Sequence, residues 1–183
     1  NILLGIPINY YAIIDYQGIK NIVDSLGGVP MDVPFDMSYH TEGVSIEIAA
    51  GQQVLDGEHA VQFIRYRSGY SNGDIGRVEA QQNFVKSAAK QALGLNLPKV
   101  AKTVVANVNS DITNRAIVYL GAKAVGMDSA NINAVMLPGY AGNIGGLSFW
   151  IRDEDYTIEE ILRTVYNGPP EVSTDPLVEE DEE

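Results

Sequence analysis

"LDGEHAVQFIRYRSGYSNGDIGRVEAQQNF", Leu55–Phe84, holds three of the six arginines in a chain of formal net charge −12. Asp56 has the residue type and position of an N-cap, which predicts a short helix over 55–64. Glycine and asparagine crowd "SGYSNG", which predicts a loop and favours an extended Arg65-Tyr66-Arg67 before it. A second helix is predicted from about Ile75 to Leu93. Val78, Gln82, Val85, Ala89 and Leu93 fall on one face of it, with Asp74 in the N-cap position.

On an extended chain, residues two apart point to one side, with Cα atoms about 6.6 Å apart. Arg65 and Arg67 would then present two planar forks, each suited to a pair of phosphate or carboxylate oxygens. Arg77 lies in the first turn of the second predicted helix, where unpaired N–H groups and the helix dipole favour an anion. Gln81 is one turn further on the same face. Arg65, Arg67, Arg77 and Gln81 can therefore converge on one multi-oxygen anion, and a pyrophosphate suits them better than a single carboxylate. On spacing alone, salt bridges to surface acids are an equal alternative.

Outward from this stretch, strands and helices alternate. "PINYYAIIDY" (7–16) reads as a buried strand, followed by a helix over "QGIKNIVDSLGG" with Asp15 as N-cap and Gly27–Gly28 as its stop. Residues 29–37 read as an edge strand because of their prolines, and 44–51 as another strand. Helices are predicted at 97–108, with Pro98 in the first turn, and at 111–126, between Asp111 as cap and Gly126 as stop. Strands follow at 131–139 and 146–153. A last helix at 157–168 has Thr157 and Glu160 at capping-box spacing. The expected fold is α/β: a mixed central β-sheet flanked by helices on both faces. Residues 1–168 would form the domain and 169–183 a disordered acidic tail.

Composition narrows the function. The 183 residues are 45% hydrophobic and include no cysteine, so disulfides and thiolate chemistry are excluded. His40 and His59 are far apart, with no zinc-ligand spacing around them. The last thirteen residues carry seven acids, and setting them aside leaves the body at −5. No basic stripe, helix-turn-helix or zinc-finger pattern points to nucleic acid. No apolar run reaches membrane-spanning length, and no signal-peptide pattern opens the chain. "NILLGIPINYY" begins on apolar residues and reads as the middle of a domain, which creates the expectation of a segment upstream of Asn1.

Taken together, "LLGIPINYYAIIDYQGIKNIVDSLGGVPMDVP", "LDGEHAVQFIRYR" and "GDIGRVEAQQNF" resemble the LytR-CpsA-Psr family, in order from Leu3 to about Phe84, with a looser match through "VNSDIT" and "MLPG". The resemblance implies an envelope protein of mainly Gram-positive bacteria, held at the cell membrane by an N-terminal helix with its domain on the extracytoplasmic face. It implies a phosphotransferase that moves teichoic acid or capsular polysaccharide from a polyprenyl-pyrophosphate carrier to a peptidoglycan acceptor. An apolar tunnel would take the lipid, and Mg2+ would assist at the head group. The family's older description as a transcriptional attenuator has no support in this composition.

Carried over by position, the family's pyrophosphate-binding residues match Arg65, Arg67, Arg77 and Gln81, and its catalytic pair matches Asp74 and Arg77. Further family aspartates and an arginine belong to a segment expected before Asn1, with the N-terminal part of the domain, so no metal ligand is assigned in this chain. Asp74 has several readings: a helix cap, an orienter of Arg77, an aid to a metal held elsewhere, or a base for the acceptor hydroxyl. Phe63, Phe84 and Val85 suit either a lipid tunnel or a plain core. The alternative function is a non-catalytic module that binds polyprenyl-phosphate lipid or wall polymer.

Overall fold

A computed structural model describes residues 9–94, 97–124, 127–128, 132 and 136–153. The chain divides into two compact units, Tyr10–Ile132 and a second made of Asn1–Asn9 with Asn133–Glu183. In the larger unit the order is β1 (Ala12–Ile14), α1 (Tyr16–Ser25), β2 (Val29–Val33), β3 (Met37–Thr41), β4 (Val44–Ile48), β5 (Gly51–Leu55), α2 (Gly57–Arg65), α3 (Asp74–Gly94), α4 (Leu97–Asn107), β6 (Val108–Ser110) and α5 (Asn114–Ala124). The second unit contributes the hairpin β7 (Gly139–Ile144) and β8 (Leu147–Arg152).

The α/β class is as expected. The described strands form four small antiparallel pairs, β1–β6, β2–β5, β3–β4 and β7–β8, rather than one continuous sheet. β2 shows why its residues make a half-buried strand: Val29, Met31 and Val33 are buried while Pro30 and Asp32 face outward. Among the described residues β2 pairs with β5 alone, which leaves Pro30 on an edge where its missing N–H costs nothing. β5 had no separate expectation. Gly51, at φ +104°, begins this new strand where the sequence reading ended the old one. The short β6 also went unpredicted.

Caps fix the helices that carry the site. The Asp15 carboxylate accepts from the Gly18 N–H at 2.7 Å, and that of Asp56 from the His59 N–H at 2.9 Å. Asp24 of α1 accepts from the Gly57 N–H at 2.8 Å, so α1 also helps to cap α2. The two helices approach closely: a Cβ at Gly57 would lie 2.5 Å from the Lys20 carbonyl oxygen. The core lies between these helices, α3 and the β2–β5 and β3–β4 pairs, with Phe63, Met37, Leu55, Val23, Val29 and Val33 fully buried.

Several local expectations need correction. Residues 12–14 are exposed rather than buried, because β6 is their sole strand partner among the described residues and a three-residue pair covers little. Asp111 does not cap the following helix. Its carboxylate accepts from the Tyr11 N–H at 2.8 Å, tying down β1, and Thr113 takes the cap by accepting from the Ala116 N–H at 3.2 Å. Of the strand expected at 131–139, Ile132 and residues 136–138 are described and are not strand; β7 begins at Gly139. Gly126, the expected helix at 157–168 and the expected tail lie outside the described residues.

Candidate functional site

Tyr66 sets the geometry of the two neighbouring arginines. It ends α2 in an extended conformation (φ −66°, ψ 132°), and its buried ring packs with Phe35 and Tyr70 at centroid distances of 6.1 and 6.4 Å. Arg65 and Arg67, on either side of this anchor, are exposed. The extended reading holds for Tyr66, whereas Arg65 is the last helical residue of α2. Both arginines still reach one cleft of about 380 Å³, walled by Tyr39, Thr41, Val44 and Ile46 of the β3–β4 hairpin.

The two guanidinium groups are held differently. Arg65 lies over the ring of Tyr16, its Cζ 4.9 Å from the centroid. Such a contact at an exposed site contributes about 0.5–1 kcal/mol. Tyr16 opens α1, and the sequence reading missed it because no local signal links residues that far apart. Arg67 has no hydrogen bond or ion pair among the described residues. Neither cleft arginine is neutralised by a described carboxylate, in contrast with the surface salt-bridge alternative.

Arg77 behaves otherwise. Its Nη2 lies 2.8 and 3.0 Å from the two Asp74 carboxylate oxygens, with the arginine side chain 19% exposed and the aspartate 72%. Asp74 is therefore the first residue of α3 and a partner of Arg77, not a backbone cap. Arg77 Nε is buried without a partner, as is the Tyr70 hydroxyl. Burial raises the Tyr70 pKa, with Tyr66 adding to the rise and Arg77 opposing it. Gly76 lets the loop close onto the helix: a Cβ there would sit 2.2 Å from Asn72 Oδ1 and 3.0 Å from the Tyr70 side chain.

Gln81 uses its amide differently from the expectation of a shared anion cradle. Its Nε2 donates to the Ile64 carbonyl oxygen at 2.8 Å, satisfying a carbonyl in the last turn of α2 and fixing that helix end to α3. The residue thus holds the segment that presents Arg65 and Arg67. The structure brings Arg65 with Arg67, and Asp74 with Arg77; no hydrogen bond or ion pair joins the two groups among the described residues. Phe63 and Phe84 are core, with ring centroids 6.3 Å apart, while Val85 is 62% exposed.

The described residues contain no group of three or more His, Cys, Asp or Glu side chains that could hold a metal ion, and both Asp74 oxygens face Arg77. They do not by themselves fit a magnesium site. No helix among the described residues is long and apolar enough to cross a membrane.

The sequence profile of the LytR_cpsA_psr family matches residues 1–164. The chain is 26% identical over 170 residues to the polyisoprenyl-teichoic acid–peptidoglycan teichoic acid transferase TagV of Bacillus subtilis, covering 88% of this chain and 44% of that protein. It is 32% identical over 124 residues to the regulatory protein MsrR of Staphylococcus aureus, covering 64% of this chain and 37% of that one. The chain thus spans under half the length of both curated relatives. Among solved structures, a transcriptional regulator from Enterococcus faecalis superposes with a TM-score of 0.72 at 26% identity, over 93% of this chain and 64% of that one.

Proposed function

The chain belongs to the LytR_cpsA_psr family, and on that premise we propose that it binds a polyprenyl-diphosphate-linked anionic glycan and transfers the glycan phosphate to a peptidoglycan hydroxyl. The work would take place on the extracytoplasmic face of the cell membrane. The observation that carries this reading is the cleft itself: two exposed arginines on one opening, without a carboxylate partner among the described residues, in a chain of net charge −12. The relative whose name describes teichoic acid transfer matches across 88% of the chain, which supports the choice of donor and acceptor.

Arg65 and Arg67 bind the diphosphate oxygens through their forks, each charge-assisted hydrogen bond contributing about 1.5–3 kcal/mol. Arg77, at the start of α3, holds charge that develops on phosphate oxygens as the bond breaks, assisted by the helix N-terminus. Asp74, with its carboxylate oriented by Arg77, takes the proton from the acceptor hydroxyl. The hydroxyl oxygen forms a bond to the glycan-bearing phosphorus. The bond from that phosphorus to the bridging oxygen breaks, and the polyprenyl phosphate leaves with that oxygen and its electron pair. Magnesium, which the family resemblance implies, would neutralise diphosphate charge; this chain's described residues are assigned no part in holding it.

Transfer of labelled glycan from a lipid-linked donor to peptidoglycan tests the reading. Arg77→Lys keeps the charge but loses the fork, and transfer should fall at least about tenfold, as for one lost charge-assisted contact. Unchanged transfer by that variant refutes the assignment. Saturable donor binding with no transfer by the full-length protein identifies a binding module instead.

A further inference from the structure

The distal half of the arginine loop borders a second cavity, of about 460 Å³, between β2 and α3. Gly76, Glu79, Ala80 and Asn83 follow one another at the spacing of a single helix face, and all four line it. The small residues leave the floor open, while Glu79 and Asn83 are exposed at its sides. Across from them stands Asp32, on the outward side of β2. Phe35 and Tyr70 supply two rings set edge to face, 5.1 Å apart. Asn72 Nδ2 donates to Glu79 Oε2 at 3.4 Å, steadying the carboxylate at the rim.

We propose that this cavity is a binding site for an uncharged sugar. Its lining combines groups that a polyhydroxyl ring can use. The Asp32 and Glu79 carboxylates accept from hydroxyls, the Asn83 carboxamide both donates and accepts, and the aromatic rings cover C–H faces. No lysine or arginine lines it, so its two carboxylates repel phosphate. The cavity and the arginine cleft, built on two halves of one loop, therefore select opposite chemistries. The volume lies within the range of about 300–1,000 Å³ common for small-molecule sites. This assignment stands on the cavity's own lining and is independent of the transfer reading. Combined with that reading, it places a neutral sugar of either the donor glycan or the acceptor strand beside the bound phosphate.

The test is a titration of the full chain with chitotetraose, a neutral N-acetylglucosamine oligomer, followed by backbone amide shifts. Saturable shifts should localise to residues 69–83. Glu79→Gln and Asn83→Tyr should each weaken binding about tenfold, the first by weakening an acceptor, the second by filling the cavity. Both positions are exposed, so the denaturation midpoints of the variants should stay close to the parent's. Absence of saturable shifts in the millimolar range overturns the proposal. So does binding that survives both substitutions, or shifts centred on Tyr39, Thr41 and Val44. A lipid-linked donor that displaces chitotetraose identifies the donor glycan as the source of the sugar; simultaneous binding identifies the acceptor strand.

Discussion

At the scale of the residue, the cleft depends on what holds each arginine. Arg67 lacks a described partner, so Arg67→Ala should leave stability within about 0.5 kcal/mol of the parent. Donor head-group affinity should nevertheless drop about 10- to 100-fold, as expected for one lost charge-assisted contact. Equilibrium denaturation and a binding titration check the two halves of that statement. Arg65 is braced by Tyr16. Tyr16→Leu should weaken binding by a few-fold, and Tyr16→Phe should restore it, because the ring face supplies the contact. The pairing of Arg65 with Arg67 was legible in the sequence from their two-residue spacing. Their brace was not, since Tyr16 meets Arg65 only through the packing of α1 against α2. Gln81 was legible as a polar residue on the Arg77 side of a helix, but its commitment to the Ile64 carbonyl is a tertiary fact.

At the scale of the element, α2 delivers the arginines, and its two ends are controlled by different means. Asp56 caps its start; Asp56→Ala should cost about 1 kcal/mol in chemical denaturation. The Asp56 pKa is lowered, first by the His59 N–H and then by the His59 ring. A group with a depressed folded pKa stabilises above its ordinary range, and that contribution is lost as pH falls through the folded value. The gap between parent and Asp56→Ala should therefore close in acid; a gap that persists there contradicts the cap. Gly57 sits where α1 and α2 touch. Gly57→Ala should destabilise by about 1–3 kcal/mol, since the added carbon meets Lys20 backbone atoms that cannot turn away. Caps at Asp15 and Asp56 were readable because an Asp before a periodic apolar run has one obvious use. Asp74 and Asp111 show the limit of the same rule. Each is an Asp in cap position, but one is drawn to Arg77 and the other to the Tyr11 N–H.

For the molecule as a whole, alternating elements announced the α/β class, while the pairing of its strands depended on turns such as Gly51 that composition alone did not decide. The larger unit keeps the arginine segment in place through Phe63, which anchors α2 in the core and is 1% exposed. Phe63→Ala should cost about 3–5 kcal/mol and lower affinity at the cleft along with stability. Net charge also acts at this scale. Donor affinity should fall with added salt, because two solvent-exposed arginines carry the attraction in an otherwise acidic chain. The most direct measurement is the affinity of the full chain for a water-soluble, short-prenyl diphosphate glycan, compared with that of the Arg65→Ala/Arg67→Ala variant at matched ionic strength. Saturable binding by the parent, weakened about 100-fold or more in the variant, is the predicted result. Equal affinity of the two proteins would contradict the assignment of the cleft to the diphosphate.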